Sequence, residues 1–465
     1  MPGLKSTILL NMNSNNYKSF IMKNLLVFAF VMCSIILVTG CTEEDPVSPN
    51  IILLISDDQG WTDYSFMGHE HIQTPRIDQL AAEGLTFTQG YTTAPLCRPA
   101  LASMATGLYP HQHGVLGNDP VCHAGADPDQ DEEGWLERRA VLNSTVVKRF
   151  EELPTLADLL EKAGYVSLQT GKWWEGHYSN GGFSLGMTHG DPSRGGRHGD
   201  EGLRIGREGL EVIYDFIDQS QESGSPFFVW YAPFLPHRPH NPPDSLRDKY
   251  LPLAPTPAVA NYWAMCEWLD FTCGQLMDYI DRKGLSENTL FVYVTDNGWI
   301  QDPDRPAKHA PRSKREPYNM GIRTPIIYRW KGVIEPRMDE TSLSSSIDIA
   351  TTVLAACGLE PVPDMQGINM LDEQARKARD AIFAETYSHN FTTIDSSLYY
   401  RIIIQWPWKL ILPDPLGKPG KQPELYHLEE DPFEWDNRVG ERPEIVSDLR
   451  QRIEQWWDGG VTMHN

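Results

Sequence analysis

The sequence predicts an α/β fold: a large mixed, mostly parallel sheet flanked by helices, with a small antiparallel subdomain at the C-terminal end. Three observations carry this expectation. Short runs rich in β-branched and aromatic residues alternate with helix-like segments. The runs are almost continuously apolar, as strands covered on both faces are. Four of them end in acids, an amide, lysine or histidine, and open sheets bind ligands beyond the carboxyl ends of their strands.

In chain order, 51–55 (IILLI) leads into Ser56-Asp57-Asp58, and 165–170 (YVSLQT) into Gly171-Lys172. Next, 227–231 (FFVWY) leads into APFLPHRPH, 290–295 (LFVYVT) into Asp296-Asn297-Gly298, and 325–328 (PIIY) follows Gly321-Ile322-Arg323. Helix candidates lie between them: 76–83, stopped by Gly84; 155–163, stopped by Gly164; 206–219; 259–282; and 347–357, opened by Ser346 and stopped by Gly358. Beyond about Ala381 the pattern changes to 401–412, a Gly/Pro turn, 424–435 and an amphipathic stretch at 444–457. These read as a small antiparallel sheet capped by a helix. The expected organisation is an address signal at 1–40, a tether at 41–50, a main domain at 51–380 and a C-terminal subdomain at 381–465.

Composition narrows the function. The 465 residues include 40 basic and 63 acidic side chains, a formal charge of −23. That balance argues against nucleic-acid binding, and a polyanion would be repelled at long range unless basic residues gather at its site. Residues 1–40 hold Lys5, Lys18 and Lys23, no acid, and the apolar run LLVFAFVMCSIILV before Val38-Thr39-Gly40-Cys41. The pattern resembles a bacterial lipoprotein signal with Cys41 as the acylated residue; Met22 would serve equally as the start. A plain secretory signal or an anchor with an incidental cysteine is the alternative. The expected location is therefore periplasmic or cell-surface, with the membrane held through a lipid. Cys97, Cys122, Cys266, Cys273 and Cys357 leave an odd count, and Cys266 and Cys273 either pair or act as buried small hydrophobes.

Asp57, Asp58, Asp296 and Asn297 follow two strong strands and offer hard oxygens of the kind Ca²⁺ or Mg²⁺ takes. Each pair alone is as readily an Asx turn. Cys97-Arg98-Pro99 precedes the helix-like run ALASMATGLY, which sets Cys97 at a helix N-terminus, where charge stabilisation would depress its pKa. A buried structural cysteine is the competing reading. Lys172, Lys314 and His237 could likewise be a loop charge, part of a solvated basic run at 308–315, and a structural hydrogen-bonder.

Taken in order, the blocks resemble the formylglycine-dependent sulfatases. They are SDDQGW (56–61), Cys97-Arg98-Pro99 ten residues before Gly107, TGKWW (170–174), PHRPH (236–240), TDNGW (295–299), KREPYNMGIRTP (314–325) and ELYHLEEDP (424–432). The resemblance implies an alkaline-phosphatase-like sandwich and sulfate-ester hydrolysis. It also implies conversion of Cys97 to formylglycine (3-oxoalanine) by a formylglycine-generating or anaerobic maturation enzyme, the aldehyde hydrate then attacking sulfur. By the family pattern Asp57, Asp58, Asp296 and Asn297 hold Ca²⁺, with Mg²⁺ second, Lys172 and Lys314 contact sulfate, and His237 binds it or protonates the leaving alcohol. Two positions depart: Leu101 stands where the family has arginine, and Trp174 where it has histidine. Arg98, His113, His177 or another basic residue would then supply the missing cation. A sulfatase-like protein that binds sulfated glycans without turnover, and a phosphate or phosphonate ester hydrolase, are the alternatives.

The address favours extracellular sulfated carbohydrate as substrate. The glycine-rich loop 194–207 (RGGRHGDEGLRIGR) offers Arg194, Arg197 and His198 as a basic lining, or as solvated charges paired to Asp200, Glu201 and Glu208. Trp173, Trp174 and Trp299 would stack sugar faces or fill the core. Arg138-Arg139 is a weaker candidate.

Overall fold

The apolar run 51–55 becomes the middle of a nine-stranded sheet. The structure is a computed structural model that describes residues 48–121 and 135–460. The signal region, Cys41, most of the tether and Cys122 lie outside the described residues. The main-sheet strands are β1 (Asn50–Ser56), β2 (Leu85–Tyr91), β3 (Val166–Gly171), β4 (Leu185–Gly186), β5 (Phe227–Ala232), β6 (Thr289–Thr295), β7 (Arg323–Trp330), β8 (Arg337–Asp339) and β9 (Ser344–Ser345). Their order is β9-β2-β7-β6-β1-β5-β3-β4, with β8 also paired to β2. Every pairing is parallel except those of β7, which runs antiparallel to β2 and to β6. The expected mixed, mostly parallel sheet is what forms.

Strand periodicity explains why both faces are covered. Ile51, Leu53 and Ile55 join one apolar cluster with Leu101, Met104 and Ala105 of the Cys97–Thr106 helix. Ile52 and Leu54 join the other, with Leu80 of the Pro75–Glu83 helix and Leu269 and Leu276 of the Pro257–Arg282 helix. The C-terminal part forms β10 (Ile382–Tyr387), β11 (Leu398–Gln405), β12 (Trp408–Pro413) and β13 (Glu424–His427), antiparallel in that order, with the Pro443–Trp456 helix packed on it.

Several expectations shift. The helix expected at 206–219 runs Glu211–Ser223, because Gly206 (φ +77°) and Gly209 (φ +124°) adopt left-handed backbone that no helix start accommodates. Thr155 is an N-cap, its side chain accepting from Asp158 N, so that helix begins at Leu156. The segment 424–435 is a strand only to His427. Strand β2 and the Trp135–Glu151 helix, which carries Arg138 and Arg139, were not expected. Cys266 and Cys273 are both free and buried, the small-hydrophobe alternative. Among the described residues no helix is long and apolar enough to cross a membrane.

Candidate active site

Sheet register builds the site. Strands β1 and β6 pair Ser56 with Thr295, so Asp57-Asp58 and Asp296-Asn297 leave the sheet side by side. The Asp296 amide donates to Ser56 O (2.9 Å) and the Asp58 amide to Asp296 Oδ1 (3.1 Å). At the neighbouring end Gly171 pairs with Ala232, and the Lys172 amide donates to Ala232 O (2.7 Å). Gly171 sits at φ +76° with its Cα against the Ala232 carbonyl, where an added Cβ would lie 1.9 Å from oxygen. Only glycine lets the chain turn Lys172 inward there.

The side chains meet in a buried, charged cluster. Lys172 Nζ donates to Asp57 Oδ1 (2.6 Å) and lies 3.4 Å from Asp296 Oδ2. Lys314 Nζ pairs with Asp58 Oδ1 and lies 2.9 Å from Cys97 Sγ. His237 Nδ1–H donates to Arg238 O (2.6 Å), which leaves Nε2 facing Asp58 Oδ2 at 3.6 Å. Asn297 Nδ2 donates to Asp58 Oδ1 (2.8 Å). Single ligand atoms of Asp57, Asp58, Cys97 and Asp296 all lie within 4.8 Å of one another. Asp57 Oδ2, Asp58 Oδ2 and Asn297 Oδ1 are buried with no hydrogen-bond donor among the described residues. Buried acceptors left in that state are costly. Three converging carboxylates and an amide oxygen are the donor set of a hard divalent cation, so these residues fit one.

Burial disfavours charge throughout, and partners decide the outcome. Burial would raise the Asp58 carboxyl, but Lys314, His237 and Lys172 outweigh it and hold it below the usual carboxylate range. Burial would lower Lys172, but Asp57, with Asp296 and Asp58, outweighs it and keeps the ammonium protonated. The Cys97 thiol is pushed up to about 12 by burial, against Lys172 and Lys314. The expected depressed thiol is therefore not found: helix N-terminus and lysines do not offset desolvation. His237 is pushed well down, chiefly by burial.

The cluster opens into a pocket of about 120 Å³ lined by Asp58, Cys97, Trp174, His237, Trp299 and Lys314 among others. The family model for sulfatases matches residues 49–359, more than half of the chain. The chain belongs to the sulfatase family. A second model, N-sulphoglucosamine sulphohydrolase, C-terminal, matches residues 308–458. N-acetylgalactosamine-6-sulfatase of Canis lupus familiaris is 28% identical over 364 residues, 70% of this chain and 66% of that protein. The match thus spans just under two thirds of that relative's length. N-acetylgalactosamine-6-O-sulfatase of Bacteroides thetaiotaomicron is 24% identical over 542 residues, covering 93% of this chain and 99% of that one. Among solved structures, the PsFucS1 sulfatase from Pseudoalteromonas sp. superposes with a TM-score of 0.67 at 21% identity, over 89% of this chain and 90% of that one. That likeness establishes the fold, the alkaline-phosphatase-like architecture of sulfatases.

Within the sulfatase frame the two departing positions have clear surroundings. Leu101 is buried in the apolar core beneath the site. Trp174 lines the pocket, edge-on to His198 (4.4 Å between centroids), with the Arg197 guanidinium 5.5 Å over its ring. Arg197 and His198 thus stand in the pocket, Arg197 also donating to Asp119 Oδ2 (3.0 Å). Burial lowers the His198 imidazole to about 2, helped by Lys172 and Arg197.

Four other candidate cations do not reach the pocket. Arg98 is buried in a bidentate pair with Glu175, both contacts at 2.7 Å, and donates to Asn143 Oδ1 and Asn118 O, so its donors are committed to packing. His113 is buried behind the Cys97–Thr106 helix against Ser103 Oγ (3.1 Å). His177 caps a 3₁₀ turn through Ser179, and Arg194 pairs with Glu201 at the surface. Residues that sequence reasoning passed over line the pocket instead: Arg238, His309, Arg315 and, from the C-terminal subdomain, His389. His309 and Arg315 flank Lys314 in the basic run, a legible signal. His389 had none.

Proposed function

We propose that this chain hydrolyses sulfate esters on sulfated polysaccharides or their oligosaccharides, using a formylglycine made from Cys97 and a Ca²⁺ held by Asp57, Asp58, Asp296 and Asn297. The observation that carries this reading is the convergence of those four residues with Cys97, Lys172, Lys314 and His237 in one buried cluster that opens to a charged pocket. When present, the ion would polarise a sulfate oxygen and the aldehyde hydrate would supply the nucleophile.

The chain's own residues do the rest. The first turn of the ten-residue helix begins at Cys97, so its dipole favours negative charge developing there. Buried Lys172 and Lys314 offer cations where sulfate charge accumulates, and low dielectric strengthens both contacts. Arg238 O fixes Nδ1–H of His237, so Nε2 is the nitrogen that would take up and pass on a proton. Asp58 and an incoming sulfate favour that proton while burial opposes it, which suits transfer to a leaving alcohol. Arg197 and His198 stand in the pocket against the ring of Trp174, which occupies the position where the family has histidine. The sugar class draws support from the relatives named N-acetylgalactosamine-6-sulfatase. A lipid on Cys41 would hold the enzyme at a periplasmic or cell-surface membrane.

One observation favours a second reading. Leu101 is buried among apolar side chains and Arg98 is locked to Glu175, so their helix sends no cation to position 97. A binder of sulfated glycans without turnover fits that. The test is co-expression with a maturation enzyme, mass analysis of the Cys97 peptide, and sulfate release from a panel of sulfated oligosaccharides. Conversion with release supports hydrolysis. Conversion or binding without release supports the second reading, and preferential release of phosphate from matched phosphate esters overturns both.

A further inference from the structure

Beside the catalytic pocket lies a second cavity of about 260 Å³ with a different lining. Trp299 lines both, two residues after Asn297, and its ring centroid is 5.8 Å from Lys314 Nζ. The second cavity is walled by aromatic side chains, with Tyr262, Trp263 and Tyr318 on one part and Phe433 and Trp435 on another. It continues past Trp263 and Phe433 into a shallower cleft.

The outer aromatics are held out deliberately by the fold. Glu434, between them, is fully buried at φ +61°, paired to buried Lys409 (2.6 Å) and accepting from the Asn319 amide (2.5 Å). Asn319 Nδ2 also donates to Pro432 O (2.9 Å). Anchoring Glu434 inward turns its neighbours outward, so Phe433 is 43% and Trp435 74% exposed. Arg312 stacks between Tyr318 (3.6 Å) and Trp435 (4.9 Å) and fixes the rim. Among the described residues three polar atoms of the lining residues, Trp299 Nε1, Gln301 Oε1 and Arg312 Nε, are buried without a hydrogen-bond partner. Aromatic faces with the polar residues Thr62, Gln301 and Arg312 also in the lining suit one chemistry: a pyranose ring, apolar on its C–H face and hydroxylated at its rim.

Resting on the reading that the charged pocket takes the sulfated sugar, we propose that this aromatic cavity is a subsite for the adjoining, uncharged pyranose of the same oligosaccharide. The enzyme would then prefer sulfated oligosaccharides to sulfated monosaccharides.

The test measures binding of matched sulfated monosaccharides and tetrasaccharides, from glycosaminoglycan and galactan series, to the Cys97→Ala protein by calorimetry, so no turnover is required. In at least one series the tetrasaccharide should bind about tenfold more tightly. Trp435→Ala and Phe433→Ala should each cut that ratio to about threefold or less. Leu416→Ala, which trims another exposed apolar side chain outside both cavities, should keep it. Unfolding temperature identifies any variant that fails to fold, and the other aromatic variant then decides. A tetrasaccharide advantage without sulfate release from the mature enzyme retains the subsite and overturns hydrolysis. Release without any tetrasaccharide advantage, or an advantage unchanged in both aromatic variants, overturns the subsite.

Discussion

The two neighbouring cavities share Trp299 and little else. One is built from buried charges delivered by adjacent strand ends; the other from aromatic rings delivered by the Pro257–Arg282 helix and by loops far from it in sequence. In the first, each charge is fixed by an opposite charge, and the unsatisfied oxygens are the ones left for a ligand. In the second, a single buried ion pair, Lys409–Glu434, holds the outer rim, where Phe433 and Trp435 are exposed, while Tyr262 and Trp299 are buried in the wall. Chemistry needs preorganised charge in low dielectric, whereas recognition of a sugar face needs rigid apolar area at the rim.

The sharpest contrast is in turnover. Lys314→Ala removes the cation shared by Asp58 and Cys97 and should lower sulfate release by about 10²–10³-fold, measured as kcat/KM, whatever the chain length of the substrate. Equal loss on long and short substrates assigns it to the charged pocket; loss confined to long ones would break the division between the cavities.

Next in size is stability. Glu434→Ala leaves Lys409 buried without its partner and should cost about 3–5 kcal/mol in chemical denaturation. Should the cost be near zero, the buried pair does not anchor the aromatic rim.

Ion binding separates the cavities again. Ca²⁺ at about a hundredfold excess over its Kd should stabilise the protein by about 2.7 kcal/mol, read as a rise in Tm. Asp58→Asn should weaken that rise and Trp435→Ala should not. A rise insensitive to Asp58→Asn would locate the ion elsewhere.

A further effect lies outside both cavities. Asp270 accepts the Arg76 and Ile77 amides (2.7 Å for Ile77) at the start of the Pro75–Glu83 helix, and burial pushes its carboxyl up to about 7, against those hydrogen bonds. Its folded value exceeds the unfolded one, so its contribution is complete below about pH 4 and fades as pH rises through about 7. Asp270→Asn should flatten that decline in stability, and an unchanged pH profile would contradict it.

How much was legible follows from what each region is made of. Asp57, Asp58, Asp296 and Asn297 were readable because a strand is a contiguous apolar run and its polar end is adjacent in sequence. Parallel register then did the assembling. The helix start at Cys97 was readable from Pro99. Its thiol's direction was not, because burial from distant elements decides it. Arg98, His113 and His177 were named as replacement cations on proximity alone, and tertiary partners such as Glu175 and Ser103 had already claimed two of them. Of the aromatic cavity only Trp299 stood out in sequence, because residues 62, 263, 299, 312 and 435 meet only in the fold.

The buried cluster around Cys97 is proposed to hydrolyse a sulfate ester. Sulfate released from the oligosaccharide panel by protein co-expressed with a maturation enzyme, set beside the Cys97→Ala protein prepared identically, tests it most directly. Release by the wild type and none above background from the variant is the expected result. Equal release from both, or none from a wild type whose Cys97 has been converted, would contradict it.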